Sequence, residues 1–341
     1  MSNFIQNRNK KSNDKLRNIV NTFPSFCIDY FIGIEQNTSI LTRLNYASDL
    51  NIFFYFLSNE ILNKSVKSIT LSDLDNLKAR DFEYFLSYIT DFTKDGINYQ
   101  NNDRAKARKL SAIRSLFKYL YIHDNITHDE TTKVKTPKIH TKPIIFLEPD
   151  EVAKLLNESD NPINLTPREI AFNKKTSIRD TALLSLFLGT GIRVSECVGL
   201  NIKDIDLTNN AFKITRKGGN QSILYFGEEV KLALVDWIKE RNIWLKDTDE
   251  EALFISLQKK RMSIRAVEKM VKKYSSVASP LKKITPHKLR STYGTSLYRE
   301  TKDIYVVAEI LGHKDINTTK KHYASMSDEI KRSAINKIKL R

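Results

Sequence analysis

The sequence predicts a mainly α-helical protein of two domains with one small β-hairpin. Three observations carry this: apolar residues recur at three- and four-residue spacing along most of the chain, the period changes once, near residues 211–226, and a lysine- and proline-rich stretch interrupts the helical pattern near the middle. In the first domain, Leu41 to Asn63 and Leu71 to Thr90 carry Leu, Ile, Phe and Tyr at helical spacing, with Ser72 and Asp73 available as caps for the second. The last strong helix, Asn102 to Ile122, sets Leu110, Ile113, Leu116, Phe117 and Leu120 on one stripe, so this domain reads as all-helical. Thr131 to Pro143 (TTKVKTPKIHTKP) is the expected linker between domain 1–130 and domain 144–341. Beyond it, Glu148 to Leu156 and Ile178 to Leu188 read as helices, and Gly189-Thr190-Gly191 as a turn before a short helix containing Arg193. Ala211 to Thr215 and Ser222 to Phe226 are short β-like runs joined by a loop holding Lys217 near its tip. Helices follow at Glu228 to Trp244, Ile264 to Tyr274, Pro286 to Arg299, Asp303 to Leu311 and from about Ser327.

At 341 residues the chain is long enough for two domains that each bury a core. Its 56 Lys+Arg against 40 Asp+Glu give a net charge of +16, which suits DNA, RNA or an anionic membrane surface. No run approaches the ~18 apolar residues of a membrane span, and the polar opening Met1 to Lys15 lacks the apolar stretch of a secretory signal, so a cytosolic protein is expected. Cys27 and Cys197 lie far apart with no CxxC spacing, and the six histidines show no HExxH pattern, which argues against disulfides, zinc and metal-dependent hydrolysis. A Walker-type phosphate loop is also absent.

Candidate chemistry gathers in the second domain. Arg193 and Glu196, three apart on a short helix, share a face, so the carboxylate can orient the guanidinium. His287 and Arg290 stand three apart after Pro286, and Gly312 occupies a helix C-cap position before His313, with Tyr323 ten residues further on. Two arginines can bracket a phosphodiester by planar, charge-assisted hydrogen bonds, and two histidines and a hairpin lysine can supply and accept protons. In the first domain Arg104, Lys106, Arg108, Lys109, Arg114 and Lys118 occupy much of the last helix outside its apolar stripe, as either a solvated basic face or a DNA phosphate contact.

Taken in order, GTGIRVSE, RKGG, HKLR, LGH and Tyr323 resemble the signature of the tyrosine recombinase (phage integrase) family, across the chain from about Leu147 to its end. The stretches ITRKGGNQ, AVEKMVKKYS and ITPHKLR are most similar to Xer-type recombinases, particularly the XerS-like branch that acts as a single protein, and LSAIRSLFKYL is similar to their DNA-clamping domain. The resemblance implies a helical core-binding (SAM-like) domain and a catalytic domain forming a C-shaped clamp on DNA. It makes Arg193 and Arg290 the phosphate clamp, Lys217 the general acid, His287 and His313 proton donors or acceptors, Glu196 a supporting residue and Tyr323 the nucleophile. It further implies no metal, ATP or other cofactor, and a duplex partner with an inverted-repeat core site. A dimer would occupy each site and a tetramer the synapse, in a nucleoid-associated cytoplasmic protein. The C-terminal segment 327–341, with five basic residues and mostly helical apolar spacing, reads as a helix that packs on its own domain or docks into a neighbouring protomer. Two rivals stand beside this reading, a type IB topoisomerase-like relaxing enzyme and a non-catalytic DNA-binding regulator.

Overall fold

The structure is a computed structural model that describes residues 3–139, 144–162, 166–216, 219–245, 250–312 and 315–316. The chain divides into two compact units, Met1–Thr141 and Lys142–Arg341.

Unit 1 contains α1 (Asn3–Val20), α2 (Phe26–Gly33), α3 (Ile40–Phe56), α4 (Leu71–Asp75), α5 (Ala79–Tyr88) and α6 (Asp103–Ile122). Helix α3 starts where the Ser39 hydroxyl accepts from Thr42 N at 3.2 Å, and α6 where Asn102 Oδ1 accepts from Ala105 N at 3.0 Å; each side chain satisfies a donor that the first turn leaves orphaned. The core is aromatic: Phe53, Phe82, Phe85 and Phe117 are at most 1% exposed, with Phe82 and Phe117 edge-to-face at 5.0 Å.

Two expectations for this unit are corrected. Leu71 to Thr90 is two helices, because Asp73 and Asp81 each accept from the backbone N–H three residues earlier, at Thr70 and Lys78, so two N-termini are capped in one apolar run. The unit is also not all-helical, since β1 (Asp91–Lys94) pairs antiparallel with β2 (Ile97–Gln100) around Asp95-Gly96. Both turn residues have positive φ, 52° and 73°, as the tight hairpin turn that matches strand twist requires, and Asp-Gly between alternating residues is the sequence signal for it.

The stretch expected as a linker is in its first part fastened to α6. Thr131 is fully buried, and Arg114 Nε donates to Thr131 O at 3.3 Å, Nη1 to Thr136 Oγ1 at 2.8 Å and Nη2 to Val134 O at 2.5 Å. One guanidinium thereby holds three acceptors of a segment with almost no regular structure of its own. Arg114→Ala is expected to lower the stability of unit 1 by about 2 kcal/mol, the scale of buried acceptors left without a donor; urea denaturation of the full chain followed through unit 1 checks it, and an unchanged midpoint contradicts it.

Unit 2 contains α7 (Pro149–Asp160), α8 (Pro167–Thr190), α9 (Val194–Cys197), α10 (Glu228–Trp244), α11 (Ile264–Ala278), α12 (Pro286–Thr301) and α13 (Ile304–Leu311), with a three-stranded antiparallel sheet β3 (Ile205–Asp206), β4 (Ala211–Thr215) and β5 (Gln221–Tyr225) in the order β3-β4-β5. Helix α8 is the axis of the core: Ala182, Leu183, Leu184, Leu186 and Phe187 are fully buried, and α7, α10 and α12 pack around it. It runs well beyond the Ile178 to Leu188 expected from its apolar residues. Its middle carries buried polar groups that satisfy one another: Arg179 Nε donates to Asp180 Oδ1 at 2.9 Å, and the Tyr274 hydroxyl lies 2.9 Å from both Asp180 Oδ2 and Asn173 Oδ1. The expected β-hairpin is present, one residue earlier in its second strand, with Phe212 opposite Leu224 and Ile214 opposite Ser222. Among the described residues no helix is long and apolar enough to cross a membrane.

Candidate active site

Helix α8 ends at Thr190, and the chain turns at Gly191 with φ of +61°. A Cβ there would sit 2.5 Å from the Tyr293 ring and 2.9 Å from Leu311, so only glycine fits this crossing of α8, α12 and α13. Two residues on, Arg193 is the N-cap of α9. Its own N–H donates to Glu196 Oε2 at 3.0 Å, and its Nη1 pairs with Glu196 Oε1 at 2.9 Å, as the three-residue spacing leads one to expect. The Glu196 side chain is 5% exposed and that of Arg193 is 38% exposed, so a buried carboxylate holds a guanidinium whose outer part faces solvent. Nη2 of Arg193 donates to Gly312 O at 3.2 Å.

Arg290 reaches the same place from α12, which opens on Pro286 at its first turn. Its guanidinium is buried and donates from Nη1 to Gly191 O at 2.5 Å and from Nη2 to Leu311 O. His287, one turn earlier on α12, is exposed. Helix α13 closes on Gly312, left-handed at φ of +61°, the C-cap geometry that glycine adopts without a Cβ penalty. Its last carbonyls therefore point at Arg193 and Arg290, and the negative end of the helix dipole meets two cations.

A third guanidinium arrives from the hairpin. Arg216 Nη2 lies 3.5 Å from Ile310 O, and a Cβ on Gly312 would overlap its Nη1. In the sequence Arg216 is only a loop residue beside Lys217; nothing in the spacing marks it, because its partner is 94 residues away. Lys217, His313, Tyr323 and the segment 327–341 lie outside the described residues. Arg193, Arg290 and Glu196 are thus brought together at the Gly191 and Gly312 turns, with His287 exposed on the same helix as Arg290.

These elements are those of a known family. Residues 145–329 match the Phage integrase family. The chain belongs to the phage integrase (tyrosine recombinase) family. Tyrosine recombinase XerC of Caldanaerobacter subterraneus subsp. tengcongensis is 33% identical over 91% of this chain and 84% of that protein, and tyrosine recombinase XerS of Streptococcus pneumoniae is 30% identical over 93% of this chain and 96% of that protein. The fold is shared with the crystal structure of XerH site-specific recombinase bound to palindromic difH substrate, at a TM-score of 0.65 and 23% identity over 88% of this chain and 80% of that one. It is likewise shared with a lambda integrase dimer bound to a COC′ core site, at a TM-score of 0.62 and 16% identity over 87% of this chain and 93% of that one.

The basic residues of α6 in this tyrosine recombinase divide by what they touch. Arg104 and Lys118 are exposed, and Lys106 is half-buried. Arg108 pairs with Asp49 at 2.5 Å, while Lys109, 4% exposed, donates to Asn101 Oδ1 at 2.7 Å and lies 3.9 Å from Asp49. Burial pushes the Asp49 carboxyl above and the Lys109 ammonium below their ordinary values, which is the desolvation that a close ion pair offsets. Arg108, Lys109 and Arg114 therefore have partners inside unit 1, Arg108 with its side chain still 49% exposed, whereas Arg104 and Lys118 are exposed on the helix.

Proposed function

We propose that this chain is a site-specific DNA recombinase that cuts and rejoins duplex DNA through a covalent tyrosyl intermediate. The observation that carries this is the convergence of Arg193 and Arg290, from two separate helices, on the carbonyls that end α13, in a chain 33% identical to a tyrosine recombinase. The Tyr323 phenol attacks the scissile phosphorus, the bond to the 5′ oxygen breaks, and the products are a 3′-phosphotyrosyl ester and a 5′-hydroxyl. Arg193 and Arg290 stabilise the charge that builds on the non-bridging oxygens. Glu196 holds Arg193 in its rotamer while the guanidinium meets the phosphate. An unperturbed tyrosine, with a pKa of about 10, is a poor nucleophile at neutral pH, so its proton must be removed during attack; His287 is the first candidate acceptor and His313 a phosphate donor. Lys217 delivers the proton to the departing 5′ oxygen. One ester replaces another, so rejoining needs neither metal nor ATP.

In this reading unit 1 is the core-binding domain and unit 2 the catalytic domain, and both contact a duplex bearing an inverted-repeat core. The phosphate contacts of unit 1 fall to the exposed Arg104 and Lys118 first, with Lys106 and the half-exposed Arg108 beside them, since Lys109 and Arg114 are held within the fold. Two protomers occupy a site and four form the synapse, with 327–341 docking on a neighbour, in the nucleoid of the cytoplasm. A topoisomerase-like or purely regulatory role is not favoured by relatives that are tyrosine recombinases over most of the chain. Capture of protein-linked DNA ends from host genomic DNA tests the function: covalent ends clustered at one inverted repeat support it, and their absence or random scatter refutes it.

Lys217→Ala is expected to slow cleavage of an ordinary strand by about 100-fold or more, the scale of a lost general acid, and to slow far less a strand whose leaving group is a 5′ sulfur, which needs no protonation. Single-turnover adduct formation on both substrates checks it. Equal slowing would remove Lys217 from the acid role.

A further inference from the structure

Helix α9 is a single turn, Val194–Cys197, and a helix much shorter than about 12 residues does not hold itself in water. What grips its two ends therefore decides where it points. At the N-terminal end Glu196 holds Arg193. At the other end the chain runs on through Val198, Leu200 and Asn201, and one side chain grips all three: Arg261 Nη1 donates to Val198 O and Leu200 O, both at 2.9 Å, and Nη2 donates to Asn201 Oδ1 at 2.5 Å. Arg261 is itself anchored, since its N–H donates to Glu250 Oε2 at 3.3 Å and its Nη2 lies 3.8 Å from Glu250 Oε1, with the side chain 13% exposed. Cys197, Val198 and Leu200 are buried and keep this segment in the core. Apolar packing is non-directional, however, so the direction in which the turn of helix faces is set by the hydrogen bonds at its ends.

We propose that Arg261 is a positioning residue for the phosphate clamp: by gripping the chain beyond α9 it fixes that turn of helix and, through it, the direction in which Arg193 offers its guanidinium. The proposal rests on the recombinase reading for its chemistry. The path between the two arginines is short. Arg193 O accepts from Glu196 N and Cys197 N at 2.9 Å each, and Val194 O accepts from Val198 N at 3.0 Å, so the residue whose carbonyl Arg261 holds is bonded to the residue that follows Arg193. The Arg193 side chain is 38% exposed, and its aim depends on the backbone that carries it. A planar guanidinium suits the task because its two terminal nitrogens reach three acceptors spread over four residues, which a lysine ammonium cannot match with its single nitrogen.

Two measurements on the full chain test this. The first needs no chemistry: amide hydrogen exchange at residues 196–200, whose N–H groups all donate within the segment, is expected to quicken by about 10-fold or more in Arg261→Ala, while the amides of α10 keep their native protection. The second is single-turnover adduct formation on a duplex carrying the cleavage site mapped by end capture, with either a phosphate or a methylphosphonate at the scissile position. A methylphosphonate has lost one anionic oxygen, so less charge builds for a guanidinium to stabilise. Arg261→Ala is expected to slow the phosphate substrate by about 10-fold, a fraction of what removing a whole donor costs, and the methylphosphonate by no more than about 2-fold; Arg193→Ala, slower still on phosphate, should show the same contrast. Adding Arg261→Ala to Arg193→Ala should slow the phosphate substrate no further, since residues acting as one unit are not additive. Should Arg261→Ala melt below the assay temperature, Arg261→Gln, which keeps one amide donor, is read in both measurements with the same contrasts expected. Native exchange at 196–200, exchange that quickens equally throughout unit 2, equal slowing on the two substrates, no slowing, or additivity with Arg193→Ala overturns the proposal. If the native chain forms no adduct, or Arg193→Ala shows no contrast between the substrates, the recombinase reading or the clamp assignment fails instead, and exchange still decides whether Arg261 fixes α9.

Discussion

Tyr323→Phe is expected to bind DNA as the native chain does and to form no covalent adduct, a loss of roughly 10⁴-fold or more, as when a nucleophile is removed outright. The phenyl ring keeps the shape and apolar surface of the side chain and lacks only the hydroxyl oxygen. A suicide substrate resolved on a denaturing gel reads the adduct, and a mobility shift reads binding. Another tyrosine close to the clamp offers a check on the assignment. The Tyr293 ring faces Gly191, and burial pushes its phenol above the ordinary value, so it is ill suited to attack. An SDS-resistant band that persists in Tyr323→Phe would transfer the role to Tyr293 or another phenol.

Arg290→Lys is expected to lower the single-turnover cleavage rate by about 10²- to 10³-fold with a smaller effect on DNA affinity, the signature of a donor that matters most in the transition state. The substitution keeps the charge, but the native guanidinium donates to Gly191 O and Leu311 O from two different nitrogens, a geometry set by its planar fork. A lysine that satisfies one of these buried carbonyls strands the other, so a fall in stability of about 1–3 kcal/mol should accompany the loss of rate. Thermal melting separates the two effects. A variant that melts lower yet cleaves at the native rate would confine Arg290 to a structural role.

Much of the fold is legible in the sequence where apolar periodicity and caps agree. Asn102 caps α6 and Pro286 opens α12, at the residues where spacing alone puts those helix starts. What escapes is where polar residues are paired at a distance: no apolar spacing marks Pro167 to Ser177 as part of α8, whose Asn173 is buried and accepts from the Tyr274 hydroxyl about a hundred residues on. The Asp95-Gly96 hairpin escapes for a different reason, since the helical patterning on both sides outweighs a two-residue turn signal that is in plain view. At the site, the Arg193–Glu196 pairing follows from local spacing, and the approach of Arg216 to the end of α13 does not, because it is a contact between elements that share no pattern. The α6 cations show the limit of composition: charge says that a helix is basic, and only Asp49, Asn101 and Thr131 reveal which of its cations are already committed within the fold.

The three guanidiniums at the end of α13 also bear on how that helix opens. The last turn of a helix is ordinarily the first part to fray. Here carbonyls 310, 311 and 312 face cations carried by the β4–β5 hairpin, α12 and the start of α9, so the end of α13 is the meeting point of three other elements and cannot loosen without releasing all of them.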